Sequence, residues 1–432
     1  MKVNVNPVLT EELLQYIWQA GLFNQEDLTT ITGEPVRILK TGTLNRHTGP
    51  DFSGALIRIG NIIWAGHVEL HLQTSGWHKH RHHLDKNYQN VVLHVVFEQD
   101  MAEERLPNMP CIELQNRVPK ILLERYHHLM RTASFVPCGN MAQQAPALIW
   151  QGWKERLLAE RWERKAAVFR EWLQQTRYNW EEVCFRAVAQ ALGMPVNAAP
   201  FLQLAGSLPQ QVLARHKPQL FQLEALLFGQ AGLLGGALPD AYSQKLAQEF
   251  AFQQHKYQLT PMPVHLWKFL RMRPSSFPTL RIATLAAIIH QTSHLFSRIL
   301  ETNDITELEK LFFVQPSPYW QQHYRFGKTM DKPAGIGTTT IRNIIINTVC
   351  PLLYLYAQHN GIPHLHLKAL RFIEALPAEN NHTTRSWEDL HIAIETAMDS
   401  QALLQLKTHY CDHRKCLDCA IGVKLLKMGD QH

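Results

Sequence analysis

The sequence predicts an α+β protein, in which a mixed sheet with flanking helices precedes a mostly α-helical region. Short apolar or alternating segments, separated by Gly, Asn and Asp, fill residues 36 to 97, as is typical of strands. From about residue 145 onward, longer segments carry apolar residues at helical spacing and are separated by Pro and Gly. We therefore assign residues 1–140 to an α/β domain and residues 141–432 to a helical domain.

The α/β domain begins with a helix and continues into a hairpin. Thr10 can cap a helix that Gly21 ends. Strands are predicted within residues 36–40, 55–59, 62–64, 67–72 and 91–97. Gly60-Asn61 predicts a two-residue turn between two of these strands, because both residues tolerate positive φ. A further helix is predicted from residue 119 to residue 131.

The helical domain is predicted from apolar residues that recur with the helical period. The predicted helices cover residues 153–174, 180–192, 220–234, 241–257, 279–302 and 390–406. The most apolar windows of the chain are shorter than the roughly 20 residues that a membrane-spanning helix needs. We therefore expect no membrane partner.

Composition narrows the class of protein. Of the 432 residues, 45% are apolar and 19% charged, which is ordinary for a globular chain with buried cores. Lys and Arg exceed Asp and Glu by 43 − 37 = 6, an excess that permits a polyanionic partner such as nucleic acid. The first nine residues lack the apolar core of a secretory signal. Seven cysteines, an odd number, favour a reducing compartment, so we expect a cytoplasmic protein.

Acids and histidines gather around the predicted hairpin. Eight of the 24 histidines fall between residues 47 and 94. Asp51 precedes the first arm of the hairpin, and Glu69 and His71 lie on the second arm. Residues two apart on a strand point to the same face, where Asp51 can join Glu69 and His71. Converging carboxylates repel each other unless a cation lies between them, so this group predicts an Mg²⁺ or Mn²⁺ site that also binds a phosphodiester.

The Pro-Asp pair ending at Asp51 and the Glu-Leu-His run from Glu69 to His71 resemble the signature of the PD-(D/E)xK nucleases. The resemblance covers residues 10 to 100 or so and implies a helix, a three-strand meander, a second helix and another strand. It also implies that Asp51 and Glu69 hold a metal ion, while the third position orients or deprotonates the attacking water. His71 stands where that family has Lys. A neutral imidazole can take this role, or Lys79 or Lys86 can supply the cation from the next segment.

The chain as a whole also resembles an uncharacterised bacterial family. The shared motifs are GPDF at residues 49–52, GxVExH at 66–71, a Trp- and His-rich stretch at 77–96 and a three-cysteine cluster at 411–419. This resemblance extends over nearly the full length. It implies no established activity.

Imidazoles, cations and aromatic rings are interleaved in residues 77–88, directly after the predicted active strand. The candidates for substrate binding in this segment are Lys79, His80, Asp85, Lys86 and Tyr88. The alternative is a polar surface loop in which His82 and His83 are simply solvated. His94 lies within an apolar strand and is expected to be a buried, hydrogen-bonded histidine rather than a ligand.

A cysteine cluster with the spacing C-x4-C-x2-C predicts a metal centre near the C-terminus. It consists of Cys411, Cys416 and Cys419. The fourth ligand is left open between His413, His409 and a distant cysteine, with Cys138 preferred to Cys350, which lies in an apolar segment. Zinc fits four thiolates or three thiolates with an imidazole, whereas an iron–sulfur cluster usually takes four thiolates. One upstream cysteine with three C-terminal ones resembles the iron–sulfur staple of some helicase-linked and adaptation nucleases, whose spacing differs.

Three functions are compatible with these motifs. The first is a metal-dependent nuclease that acts on DNA or RNA, with the helical domain positioning the strand. The second is a nucleic-acid-binding or assembly protein with a degenerate nuclease fold and a structural metal site, which the absent Lys would explain. The third is a zinc hydrolase built on His67, His71, His78 and His80, which is disfavoured because no HExxH-type helix carries them. The sequence identifies no particular protein partner.

Overall fold

A computed structural model describes residues 9–193, 195–330 and 335–428 of the chain. The chain divides into two compact units. Unit 1 consists of Met1–Trp153, Ser386–Ile392 and Leu406–His432, and unit 2 of Lys154–Arg385 and Ala393–Gln405. Unit 1 thus includes two C-terminal segments that the sequence analysis placed in the helical domain. The predicted α+β class is confirmed, because a mixed sheet with helices comes first and a mostly helical region follows.

Unit 1 is built on a six-stranded mixed sheet. Its strands are β1 (Val36–Lys40), β2 (Thr43–Leu44), β3 (Phe52–Ile59), β4 (Ile62–Gln73), β5 (Val91–Glu98) and β6 (Cys111–Glu113). Their order is β1-β3-β4-β5-β6, with β2 paired to β3 outside this path. The β1–β3 and β3–β4 pairs are antiparallel, whereas β4–β5 and β5–β6 are parallel. The hairpin predicted at Gly60-Asn61 is confirmed, because Ile59 pairs with Ile62 and Gly60 has a φ of 56°.

The N-terminal part of unit 1 also contains helices. These helices are α1 (Glu11–Ala20), α2 (Gly76–Lys79), α3 (Lys120–Arg131) and the first turns of α4 (Ala147–Gln175). Two of them, α1 and α2, contact β4. The Thr10 hydroxyl accepts a hydrogen bond from the Leu13 N–H, and Gly21 ends α1 in the left-handed conformation, as predicted. Helix α1 buries four apolar residues, including Trp18, and packs on β4. This packing brings the polar side of α1 near the strand that carries Glu69.

Unit 2 is helical and has one extensive apolar core. Its helices are the remainder of α4, α5 (Trp180–Leu192), α6 (Ala198–Ser207), α7 (Gln210–His216), α8 (Leu220–Gln230), α9 (Ala241–Tyr257), α10 (Pro278–Gln291), α11 (Leu295–Glu301), α12 (Ile305–Phe312), α13 (Pro318–Gln322), α14 (Thr338–Ile344), α15 (Cys350–Asn360), α16 (Pro363–Ala375), part of α17 (His382–Glu388) and most of α18 (Ala397–Leu406). Strands β7 (His323–Arg325) and β8 (Lys328–Thr329) pair in an antiparallel two-stranded ribbon. Helix α19 (Ala420–Lys427) returns to unit 1.

Four predicted helices differ in extent from the observed ones. Helix α4 begins at Ala147 rather than at residue 153, and α8 ends at Gln230 rather than at residue 234. The helix predicted over residues 279–302 is interrupted between α10 and α11, where His294 has a φ of 51° that no α-helix accommodates. The helix predicted over residues 390–406 begins only at Ala397, because Thr396 pairs with Pro377 in an isolated bridge and is extended. Within the described ranges, none of the helices combines the length and apolarity that crossing a membrane requires.

Candidate metal centre

Asp51 and Glu69 are held together through the backbone of their own strands. Glu69 and His71 alternate with the apolar residues of β4, so both face the same side of the sheet, and both are buried. The Asp51 N–H donates to Glu69 Oε2 over 3.0 Å, and the Leu70 N–H donates to Asp51 Oδ2 over 2.9 Å. These reciprocal hydrogen bonds place the two carboxylates side by side at the start of β3.

Helix α1 adds two polar residues beside Asp51. The Gln15 side chain donates a 2.7 Å hydrogen bond to Asp51 Oδ1. Burial raises the pKa of Asp51 to about 6, the nearby charge of Glu11 also raises it, and the hydrogen bonds from Leu70 and Gln15 oppose the rise. The charge of Glu11 raises the pKa of Glu69 as well as that of Asp51.

Glu69 is surrounded by imidazoles rather than by cations. Its Oε1 lies 3.3 Å from His82 Nε2 and 3.8 Å from His71 Nε2. Burial and the charge of Asp51 raise the pKa of Glu69 to about 8. Burial and the neighbouring histidines lower the pKa of His71 to about 2, and burial lowers the pKa of His82. These neutral rings do not compensate a charge on Glu69.

Three of the imidazoles converge with Glu69. Among the described residues, His71, His80 and His82 form the one group of three or more histidines, cysteines or acids whose ligand atoms all lie within 4.8 Å of one another. His71 Nε2 is 3.2 Å from His80 Nδ1. A tetrahedral zinc ion with 2.0–2.1 Å bonds needs ligand atoms about 3.3 Å apart. The 3.2 Å separation of the His71 and His80 nitrogens matches this value, so the three histidines fit a transition-metal ion. These three histidines and Glu69, which contacts His71 and His82, are here called the candidate metal centre.

His94 supports the candidate metal centre from β5. Its Nε2 is 2.9 Å from His71 Nδ1, and its Nδ1 is 3.8 Å from the Cys111 sulfur. Burial lowers the pKa of His94 to about 3, so the ring is neutral. If His71 donates its Nδ1 proton to His94, the lone pair of His71 Nε2 is left to face His80 and Glu69. His94 is therefore a buried, hydrogen-bonded histidine, as expected, and its contact with Nδ1 restricts the orientation of the His71 ring.

The segment between β4 and β5 carries His80 and His82. It contains α2 and two 3₁₀ turns, His82–Leu84 and Lys86–Tyr88, and Arg81 between the two histidines has a φ of 60°. The Tyr88 ring stacks on the His82 ring with centroids 3.9 Å apart, and Trp77 meets that ring edge-on. The alternative in which His82 is simply solvated does not describe this side chain, which is 11% exposed, because packing on both sides directs it to Glu69.

The other residues predicted in this segment include Lys79, Asp85 and Lys86, which are exposed. His80 is exposed as well, although its ring contacts His71. The Asp85 carboxylate accepts a 2.9 Å hydrogen bond from the Asn87 N–H and so caps a 3₁₀ turn. Of the histidines suggested for a zinc hydrolase, His71 and His80 are in the candidate metal centre. His78 is exposed and packs near His83, and His67 lies farther back along β4.

The predicted cysteine residues lie in unit 1. Cys138 and Cys419 each directly precede a helix, and the two helices are in contact. Cys416 is buried beside them, whereas His413 is exposed. The structure therefore brings Cys138, rather than His413, to the C-terminal cysteines.

Sheet, helices and side chains together define an α+β protein with a buried carboxylate and histidine cluster on its N-terminal sheet. The chain belongs to the family described as "Protein of unknown function (DUF2851)", which matches residues 11–382. No curated protein and no solved structure matches the chain. The resemblance to an uncharacterised family is thereby confirmed, and the resemblance to nucleases stays a prediction.

Proposed function

We propose that this protein is a metal-dependent nuclease whose metal ion is bound by Glu69, His71, His80 and His82. The observation that carries the proposal is that ligand atoms of His71, His80 and His82 all lie within 4.8 Å of one another, while Glu69 Oε1 lies 3.3 Å from His82 Nε2 and 3.8 Å from His71 Nε2. Burying a carboxylate among neutral rings is costly, and a cation would remove that cost.

The ligand types favour a particular metal ion. Imidazole suits zinc and similar transition metals, whereas Mg²⁺ and Mn²⁺ prefer oxygen ligands. Three imidazoles with one carboxylate therefore favour Zn²⁺ over the Mg²⁺ or Mn²⁺ expected from Asp51 and Glu69 alone. Asp51, whose oxygens accept hydrogen bonds from Gln15 and Leu70, adds negative charge next to these ligands.

Several features support a phosphodiester substrate. Helix α1, the β1-β3-β4 meander, α2 and the parallel strand β5 follow the order that the nuclease resemblance implies. The exposed cations Lys79, Arg81 and Lys86 lie on the segment that carries His80 and His82, where they can contact phosphates. A bound metal ion would polarise a phosphoryl oxygen and lower the pKa of a bound water. The residues of the chain would orient that substrate: the cations hold phosphates, and His94 fixes the His71 ring.

The test compares two adjacent histidines of one 3₁₀ turn. His82 contacts Glu69, whereas His83 is exposed and packs near His78. The metal-free protein is titrated with Zn²⁺, Mn²⁺ and Mg²⁺, and cleavage of single- and double-stranded DNA and RNA is measured with each ion. His82→Ala should weaken metal binding at least about tenfold and abolish cleavage, while His83→Ala retains both.

The possible outcomes separate the functions. Binding of no metal, or equal behaviour of the two variants, contradicts the proposal. Metal binding without cleavage of any nucleic acid favours the second function, a non-catalytic binding protein. In that case, binding to nucleic acid should weaken with salt, because it depends on phosphate contacts.

A further inference from the structure

Four cysteines of unit 1 meet in space, although one of them is far from the others along the chain. Cys138 precedes the 3₁₀ helix Gly139–Gln144, Cys419 precedes α19, and these helices are in contact. The Cys419 N–H donates a 3.4 Å hydrogen bond to the Cys416 carbonyl. The Arg414 N–H donates to the Cys411 carbonyl over 3.1 Å, and the Cys416 N–H donates to the Arg414 carbonyl over 2.8 Å, so a tight turn brings Cys411 close to Cys416. We call these four residues the cysteine group.

Cys419 is buried at the N-terminus of α19. Burial raises the pKa of Cys419, whereas the N–H groups of Ile421 and Gly422 and the Trp153 side chain lower it. A Cβ at Gly422 would lie 2.3 Å from the Cys416 carbonyl oxygen, so only glycine permits this close approach. Hydrogen bonds to sulfur at a helix N-terminus stabilise its negative charge.

The loop that carries the cysteines is fixed to the rest of unit 1. Arg414, which has a φ of 52°, lies between Cys411 and Cys416. Its guanidinium donates to the carbonyls of Leu129 at 3.1 Å, Met130 at 2.6 Å and Thr132 at 3.2 Å. These carbonyls end α3, so the loop is anchored to a helix of the sheet-bearing unit.

We propose that Cys138, Cys411, Cys416 and Cys419 together bind an iron–sulfur cluster. Four thiolates without an imidazole are the usual ligands of such a cluster. Within the described part of the chain, no three of these sulfurs all lie within 4.8 Å of one another, whereas tetrahedral zinc requires thiolate sulfurs about 3.8 Å apart. A cluster fits the wider spacing, because several iron and sulfide ions lie between its thiolates.

Binding of a cluster by the cysteine group has to displace protons from buried thiols. Burial and the neighbouring thiols raise the pKa of Cys138 to about 12, and burial with Cys419 raises that of Cys416 to about 12. Without metal the thiols are therefore protonated, and cluster binding releases their protons. The site is separate from the candidate metal centre and does not depend on the proposed nuclease activity.

The experiment uses the full chain purified without oxygen. Iron, zinc and acid-labile sulfide are measured, together with visible absorption and thermal unfolding. Wild type should contain iron and sulfide in equal amounts. Cys138→Ser and Cys416→Ser should lose both and unfold at a lower temperature. Cys350→Ser, which changes a buried cysteine of unit 2, should retain the cluster, and so should His82→Ala.

Three results would overturn the inference. Stoichiometric zinc without sulfide would show a zinc site, and no bound metal would exclude a metal role. Full iron content in Cys138→Ser would remove that residue from the ligands. Should the cysteine variants not fold, the iron and sulfide content of the wild type still decides the matter.

Discussion

Glu69 is the side chain that connects Asp51 to the histidines of the candidate metal centre. One of its oxygens accepts the Asp51 N–H, and the other faces His71 and His82. A carboxylate in such a place destabilises the metal-free fold, since burial favours its neutral form. Residues retained despite such a cost are typical of functional sites.

This cost leads to a prediction for Glu69→Gln. The neutral amide should raise the unfolding temperature of the metal-free protein at pH 8, because, unlike Glu69, it neither buries a charge nor takes up a proton on folding. Zn²⁺ at 100 times its Kd should stabilise wild type by about 2.7 kcal/mol but leave the variant unchanged. Thermal unfolding with a chelator or with Zn²⁺ measures both effects.

Glu113→Gln is the matched control, because Glu113 lies on β6 of the same sheet and its Oε1 accepts the Gln99 N–H. This variant should keep the response to zinc. A Glu69→Gln protein that zinc stabilises as strongly as wild type would remove Glu69 from the ligand set.

The sequence predicted the strand-borne part of the site better than the part carried by the loop. Glu69 and His71 are two apart on β4, so the period of a strand places them on one face. His82 was missed because the path of a loop depends on local turns and on rings such as Tyr88, which no periodicity encodes. Gln15 reaches Asp51 only because α1 packs on β4, which is a tertiary contact.

The element that matters most is the junction of α2 with β4. Gly76 begins α2, and a Cβ there would lie 2.7 Å from Cδ2 and 2.8 Å from Cγ of His71. The ring has little freedom to move, because His94 and His80 contact its two nitrogens. The absence of a side chain at Gly76 thus sets the position of a proposed ligand.

Gly76→Ala should therefore turn the His71 ring and lower zinc affinity about 10- to 100-fold, the range found for residues that orient ligands. Competition with a coloured zinc chelator measures this affinity. Gly152→Ala serves as control, since no atom lies within 4 Å of a Cβ added in this helix of the same unit. That change should leave affinity unaltered and add about 0.5–1 kcal/mol of stability. Equal affinities for both variants would contradict the role given to Gly76.

Helix boundaries show a similar limit of the sequence. The apolar period continues through residues 279–302, yet the backbone turns at His294 and splits α10 from α11. Side-chain patterning reports which face is buried, but the packing of neighbouring elements decides where a helix stops.

At the scale of the whole molecule, each unit contains a buried acid of its own. Glu224 on α8 of unit 2 is fully buried and accepts a hydrogen bond from the Tyr242 hydroxyl. Burial raises its pKa to about 7, against the hydrogen bonds from Tyr242 and Ser317. The pKa of Glu224 is higher in the folded than in the unfolded protein. Its contribution to the free energy of unfolding is therefore fully present below pH 4.5 and is lost as the pH rises through 7.

Glu224→Gln should remove this pH dependence. Its free energy of unfolding, relative to wild type, should rise by about 3 kcal/mol between pH 5 and pH 8. Denaturant unfolding at both pH values measures the change, with the exposed Glu307→Gln as control. The same difference between variant and wild type at both pH values would show that Glu224 does not titrate in this range.

The division of unit 1 into separated segments has a consequence for protein synthesis. The ribosome completes Lys154–Arg385, the larger part of unit 2, before it makes the last two segments of unit 1. Because domains fold as units while the chain emerges, unit 1 can add α19 only after Lys154–Arg385 has been translated. Cys138 is made early and Cys419 late, so the cysteine group can assemble only in chains that have been translated through Cys419.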